Sequence, residues 1–442
     1  MDETVRRNTG LARFALVLLT GFFLVLIVWL NRPGSDLQSY RSVDLPFGCI
    51  PSPGGGYAVQ DFAYNLMYLR GIDEHVVPHP YRQTDQEKLI HHALPTAGSG
   101  MCHAYSPVAL VLAQPFLALP PPLAYIAFSV LAALGFLLLY ALDLLPRATD
   151  RLQFYLLLVC AVNITTVTAF AVGQSALITT PLLAAVWFLL RRDGREPWTV
   201  FALTFLTWAL CLKPSIAVIP IALLIGARAW AALGLTALLL ALTWTALGPL
   251  YGGWVSGLHD YSDLLGHYYE SAMIPFMRDV FTRHGDTGAN AYFSTLFPGH
   301  SALFFTASRL LFLGTTGLLL VLRGMGRLTA SQHFRGMIWT FLMLCPYLLP
   351  SEDCVLCLLI VEGDFFRSRT IWRNAALLLL MLAIMNLRAG LNFPGQINFP
   401  LKCALLVWMA VGAVRGKSRA QLVAVDLRAT EWDVARYSKG DS

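Results

Sequence analysis

The chain has 442 residues, 56% of them hydrophobic and only 13% charged, with a net charge of +6 and a mean hydropathy of +0.59. A water-soluble domain of this length needs far more surface charge, so the composition excludes a soluble enzyme and makes the bilayer the solvent. The basic excess is spread over short loops, which excludes a nucleic-acid-binding tail and instead carries topology.

Arg6, Arg7 and Arg13 precede an apolar run from Phe14 to Leu30. The run is long enough to span, and no small-residue cleavage site follows Asn31-Arg32-Pro33, so it reads as an uncleaved first helix with a cytoplasmic N-terminus. Apolar periodicity predicts further helices at 122–145, 152–171, 175–190, 198–212, 215–228, 229–250, 301–322, 335–350, 354–366, 371–387 and 400–415. Threaded alternately, these about twelve transmembrane helices put Arg147/Arg151, Arg191/Arg192/Arg195, Arg228, Arg323/Arg327, Arg367/Arg369 and Arg415/Lys417/Arg419 on the cytoplasmic side. Tyr105–Leu119 receives no crossing of its own and reads as a half-helix on the outer face. The fold expected is an all-α polytopic membrane protein, one domain over 1–419 with a polar cytoplasmic tail over 420–442.

Several predicted spans fall short of the ~20 helical residues that a bilayer core requires. The pairs 198–212/215–228 and 335–350/354–366 are the clearest, interrupted at Lys213-Pro214 and at Pro350–Asp353. Helix ends inside a membrane need neighbouring protein or a water-filled cavity, so both breaks are expected to face an outward-opening cavity. Two long outer loops, 32–104 and 251–300, hold nearly all the histidines and place function on that face.

Asp61, in Tyr57-Ala-Val-Gln-Asp61-Phe62, is expected to open a short helix over Phe62–Arg70, closed by Gly71 as a C-cap glycine. Helical spacing puts Phe62, Leu66 and Leu69 on one face, toward the membrane surface, and Asp61, Tyr64, Asn65 and Tyr68 on the other. Asp61 is then a helix cap, a general base, or both, since the helix dipole keeps a capping carboxylate ionised. Lys213 is an intramembrane cation with an anion, a phosphate above all, as its natural guest; the plainer reading is a lysine snorkelling from a helix end. Gln174 occupies an outer turn and offers an amide to a sugar or phosphate, or is simply a polar turn residue. Ser106 and Pro107 read as cap and first residue of the half-helix that Tyr105 precedes.

Arg278 and Arg283 flank an aromatic stretch of the second loop and suit an anionic headgroup or plain solvation. His259-Asp260-Tyr261 suggests a polar pair. Glu352 and Asp353 lie at the second break, as helix caps or as groups that position an acceptor or metal. Cys49 and Cys102 share the first loop and would pair if it faces an oxidising compartment. Cys354-Val-Leu-Cys357 has redox spacing but lies in an apolar helix, where buried structural thiols are the rule. There is no phosphate-cradling glycine loop, HExxH, Walker motif or Gly-x-Ser-x-Gly, and no internal repeat.

Taken in order, Asp61-Phe62, Tyr105-Ser106-Pro107, Gly173-Gln174 and Lys213-Pro214 resemble the polyprenyl-phosphate-sugar-dependent glycosyltransferases of GT-C fold, in particular glycosyltransferase family 87. The resemblance covers roughly residues 10–415. It departs from the family where a second proline follows the tyrosine, here Ser106, and in a late outer turn that reads Cys345-Pro346 and then Ser351-Glu352-Asp353. It implies a polyprenyl-phosphate sugar donor, mannose-like or pentofuranose, and a glycan or glycolipid acceptor at a site on the periplasmic face of a bacterial inner membrane. It further implies Asp61 as the catalytic base of an inverting transfer; no cofactor is expected, and no residue cluster in the sequence requires a metal. Lys213, Gln174, Tyr105, Arg278 and Arg283 would hold the donor, and Tyr64, His259, Asp260 and Asp353 the acceptor. Two other classes stay open: a transporter or flippase for a lipid-linked sugar, and a non-catalytic assembly factor that binds a partner through its outer loops.

Overall fold

The computed structural model describes residues 3–31, 49–51, 57–59, 61–74, 81–82, 84–85, 88, 105–192, 196–267, 288–346, 348, 350–362, 366, 370–390 and 397–411. The architecture is all-helical, apart from two three-residue strands, β1 (Cys49–Pro51) and β2 (Tyr57–Val59), paired antiparallel just ahead of Asp61. The first helix, α1 (Glu3–Asn31), starts earlier than its apolar run. Four helices are long and apolar enough to cross a membrane, over Gly10–Trp29, Leu123–Arg147, Trp230–Leu250 and Ser301–Gly324. They carry rows of bare apolar side chains, such as Phe14, Val17, Val25 and Val28 on α1 and Leu303, Leu310 and Leu313 late in the chain. Rows of that extent belong against lipid, not water. The protein is thus a bundle built for the bilayer, completed by several shorter apolar helices.

After α1 comes α2 (Asp61–Asp73), then α3 (Pro107–Ala113), which tightens into a 3-10 turn over Gln114–Ala118. Helix α4 (Pro121–Leu139) runs on through a π-helical turn, Tyr140–Leu144, into Leu145–Arg147. Pro146 gives that bulge its cause: a proline ring clashes with the carbonyl four residues back, and one extra residue in the turn relieves it.

The expected helix over 152–171 is two helices, α5 (Arg151–Ala161) and α6 (Ile164–Val172). Asn163 breaks them apart: its Oδ1 accepts from Thr166 N (2.8 Å), while its Nδ2 donates to the carbonyls of Val159 (3.0 Å) and Cys160 (2.9 Å). Asn386 accepts from Ile164 N (3.1 Å), and Thr165 Oγ1 donates to Met385 O (2.7 Å). Side chains thus satisfy the backbone groups that the break leaves open, as an interruption inside an apolar bundle demands.

Helices α7 (Ala176–Arg191), α8 (Pro197–Leu210), α9 (Pro214–Gly226) and α10 (Trp230–Leu247) follow. An amphipathic helix, α11 (Trp254–His267), and α12 (Ala289–Leu296) precede α13 (Ser301–Gly324) and α14 (Ala330–Leu344). The second break is wider than expected: a 3-10 turn over Pro350–Leu356 leads into α15 (Cys357–Ile360), which stops well short of 366. The chain ends its described course with α16 (Ile371–Gly390) and α17 (Asn398–Val411).

Two polar layers sit at opposite ends of α7, which is ~24 Å long at 1.5 Å per residue. One lies at Arg191. There the buried Asp143 takes Arg147 (3.0 Å) and Arg191, and Glu362 takes Arg147, Trp187 Nε1 (2.6 Å) and Ser331 Oγ (2.7 Å). This layer ties together the ends of α4 and α7, the start of α14 and the turn after α15. Burial pushes the Glu362 carboxyl up, but the Trp187 hydrogen bond, the Arg147 charge and the Ser331 hydroxyl outweigh it and hold it below its ordinary value. The other layer starts at Ser175.

Candidate functional site

Helix α2 begins at Asp61 as expected, but Gly71 does not end it; the helix continues to Asp73 and Gly71 is buried inside it. The apolar face turns inward onto protein, not outward to the membrane surface. Phe62 stacks on Phe128 (centroids 4.4 Å) and meets Phe116 edge-on (5.2 Å), and Tyr68, expected on the polar face, is fully buried. The side chains of Asp61 and Tyr64, together with Arg278, Arg283 and Cys102, lie outside the described residues.

Phe62 lands on the Gly173 turn. Gly173 ends α6 in the left-handed conformation (φ +66°), and a Cβ there would stand 2.9 Å from Phe62 Cβ. The turn closes with Gln174 N bonded to Ala169 O (3.0 Å), leaving Gln174 half-buried beside the Asp61 helix. The next residue, Ser175, hydrogen-bonds Tyr105 through the two hydroxyls (3.1 Å).

Tyr105 therefore has a tertiary role that its local sequence did not require, and Tyr81 Oη adds a bond to its carbonyl (3.0 Å). Ser106 caps α3 at Val108 N (3.3 Å), with Pro107 first in the helix, as the sequence implies. Its hydroxyl also donates to Cys211 O (2.6 Å), and its N–H to Leu212 O (3.0 Å). Those are the orphan carbonyls at the end of α8, so the start of the half-helix satisfies the break between α8 and α9. Lys213 is the next residue, extended (φ −122°, ψ 110°) as N-cap of α9 ahead of Pro214.

Lys213 is not an open cation awaiting a guest: its ammonium is paired with Glu352, a fully buried carboxylate 139 residues on. The neighbouring Asp353 takes Lys402 of α17 (2.5 Å), both side chains essentially without exposure. Asn398 Nδ2 reaches Asp353 Oδ2 (3.4 Å) and Ile384 O (2.9 Å). The two acids of the second break, expected as caps or acceptor ligands, are thus the counter-ions of Lys213 and Lys402. Lys402 carried a legible signal, being a lysine two residues into an apolar span.

His259 and Asp260 do not pair with each other. His259 Nδ1 faces Asp263 (3.2 Å) in the open, one helical turn on. Asp260 takes Arg82 (3.1 Å), and the adjacent Tyr261 packs on Tyr81 (centroids 4.8 Å) and Trp244 (5.6 Å). Since Tyr81 also holds the Tyr105 carbonyl, α11 connects to the site through the first loop. Cys354 and Cys357 are free and buried, with Cys354 against Thr180 Oγ1 (3.0 Å).

The Asp61 helix, the Gly173-Gln174 turn, Tyr105-Ser106-Pro107 and Lys213-Pro214 thus form one contiguous layer, with Glu352 paired to Lys213. No family model, curated protein or solved structure matches the chain.

Proposed function

We propose that the protein is an integral membrane glycosyltransferase of GT-C-like architecture. It moves a sugar from a polyprenyl-phosphate donor to a glycan or glycolipid acceptor on the outer face. One observation carries the reading: four short motifs far apart in sequence are joined by direct contacts, Phe62 on Gly173, Tyr105 on Ser175, and Ser106 on Cys211 and Leu212.

In this reading the acceptor hydroxyl attacks the anomeric carbon as the bond from that carbon to the phosphate oxygen breaks. Asp61 takes the hydroxyl proton, a contribution of ~10²–10⁴-fold. The charge left on the polyprenyl phosphate is met by Lys213, the electrostatic stabilisation on which such a step depends most. A single displacement inverts the centre, so a β-linked donor gives an α-glycoside. Against a transporter stands the layer of partly buried ion pairs at the far end of α7, where a carrier needs a second mouth.

The test is a membrane assay across polyprenyl-phosphate sugars, with wild type beside Asp61→Asn and Lys213→Ala. Transfer is expected from wild type, with a loss of at least ~10²-fold in Asp61→Asn. Full transfer by that variant removes the base assignment, and no transfer from any donor removes the enzyme.

A further inference from the structure

Glu352 is fully buried in the one place where the proposed mechanism needs a phosphate. Lys213 retains some exposure (13% of its side chain), so one side of the pair is open and the other is not. Two features keep the carboxylate at the lysine. Its neighbour Asp353 is anchored by Lys402 and Asn398, which fixes the segment that carries it. The 3-10 turn over Pro350–Leu356 fixes the backbone at Glu352, so its carboxylate can leave the lysine only by a side-chain rotation. Ser215 Oγ, on the first turn after Lys213, is buried and has no hydrogen-bond partner among the described residues. Ser215 is thus a hydroxyl donor without a partner among the described residues, two residues from the lysine in the first turn of α9, where a ligand with several acceptor oxygens would be offered a second donor beside the ammonium.

We propose that Glu352 is the built-in occupant of an oxyanion site formed by Lys213 and Ser215, and that a phosphate-bearing ligand binds by displacing it. The carboxylate balances the lysine while the site is empty, since an unpaired ammonium there is costly to bury. When the phosphate arrives, Lys213 exchanges one anion for another, and Glu352 takes up a proton as it leaves the lysine, since an unpaired carboxylate is as costly to bury as an unpaired ammonium. The identity of the anion as a lipid phosphate rests on the transferase reading; the exchange itself does not.

Competition has a signature opposite to that of a binding residue: removing Glu352 tightens phosphate binding, whereas removing Lys213 abolishes it. The full chain in nanodiscs is titrated with polyprenyl monophosphate, with the matching polyprenol, and with inorganic phosphate. Wild type, Glu352→Gln, Glu352→Asp, Lys213→Met and the double variant Lys213→Met/Glu352→Gln are compared. Expected are at least about ten-fold tighter polyprenyl monophosphate binding by Glu352→Gln, a smaller gain by Glu352→Asp, and loss by both Lys213 variants, with polyprenol binding unchanged throughout. A parallel gain for inorganic phosphate locates recognition in the free oxyanion; a gain confined to the lipid locates it in headgroup and chain together.

The double variant removes both charges, and its thermal stability matching wild type shows that the fold tolerates the change. Equal or weaker phosphate binding by a folded Glu352→Gln overturns the proposal, as does an equal gain for polyprenol. Phosphate binding that responds to Glu352 without any sugar transfer leaves the exchange standing and sinks the transferase.

Discussion

Gly173 joins backbone conformation to site geometry at a single residue. Its φ of +66° costs an L-residue about 1–2 kcal/mol, and an added methyl would meet Phe62 at 2.9 Å. Gly173→Ala is therefore expected to lower thermal stability by roughly that amount and to push the Asp61 helix off its seat. The measurement is transfer activity at a temperature where the variant is fully folded: activity should fall well beyond the stability loss, and unchanged activity would separate Phe62 from the site. The glycine turn and the capped start at Ser106-Pro107 are legible in sequence because their physics is local. The partner of Lys213 is not, because Glu352 is 139 residues away and only the fold brings it near. Lys402 shows the intermediate case, a buried charge whose presence the sequence announces and whose partner, Asp353, it does not.

Among the elements, the helix breaks show how the bundle is held. The end of α8 is satisfied by Ser106, and the α5–α6 break by Asn163, Asn386 and Thr165, so each interruption is completed by a different segment. The α5–α6 break escaped the apolar pattern because an asparagine in a long apolar run leaves the average hydropathy high. At the other end, Arg147 binds α4 to the turn carrying Glu362. Arg147→Met leaves two buried carboxylates short of a counter-ion and is expected to cost about 3–5 kcal/mol, read as a fall in Tm. Acid probes the same layer. Because the folded Glu362 carboxyl sits below its ordinary value, its contribution is fully present above the usual carboxylate range and is lost as pH falls through the lowered folded value. Wild type should therefore lose Tm on acidification, and Glu362→Gln should lose less.

For the whole molecule, the two polar layers at opposite ends of α7 make orientation testable. Cysteines placed at Gln174 and at the exposed Arg228, in a chain freed of reactive thiols, should react with an impermeant reagent from opposite sides. With the basic loops cytoplasmic, position 174 is labelled from outside and position 228 only after the membrane is opened; the reverse pattern inverts the topology. The sequence alone determined that this is an apolar helical membrane protein, where its long helices lie, and which short motifs interrupt them with polar side chains. Composition and hydropathy are sums over neighbouring residues, and caps and left-handed turns are settled within a few residues. Only the tertiary structure decided that the four motifs share one layer, that α2 turns its aromatic face inward, and that Lys213 and Lys402 already hold carboxylates. Those outcomes depend on which distant segments meet in a low-dielectric interior, where an unpaired charge or an open backbone group must find a partner wherever the fold supplies one.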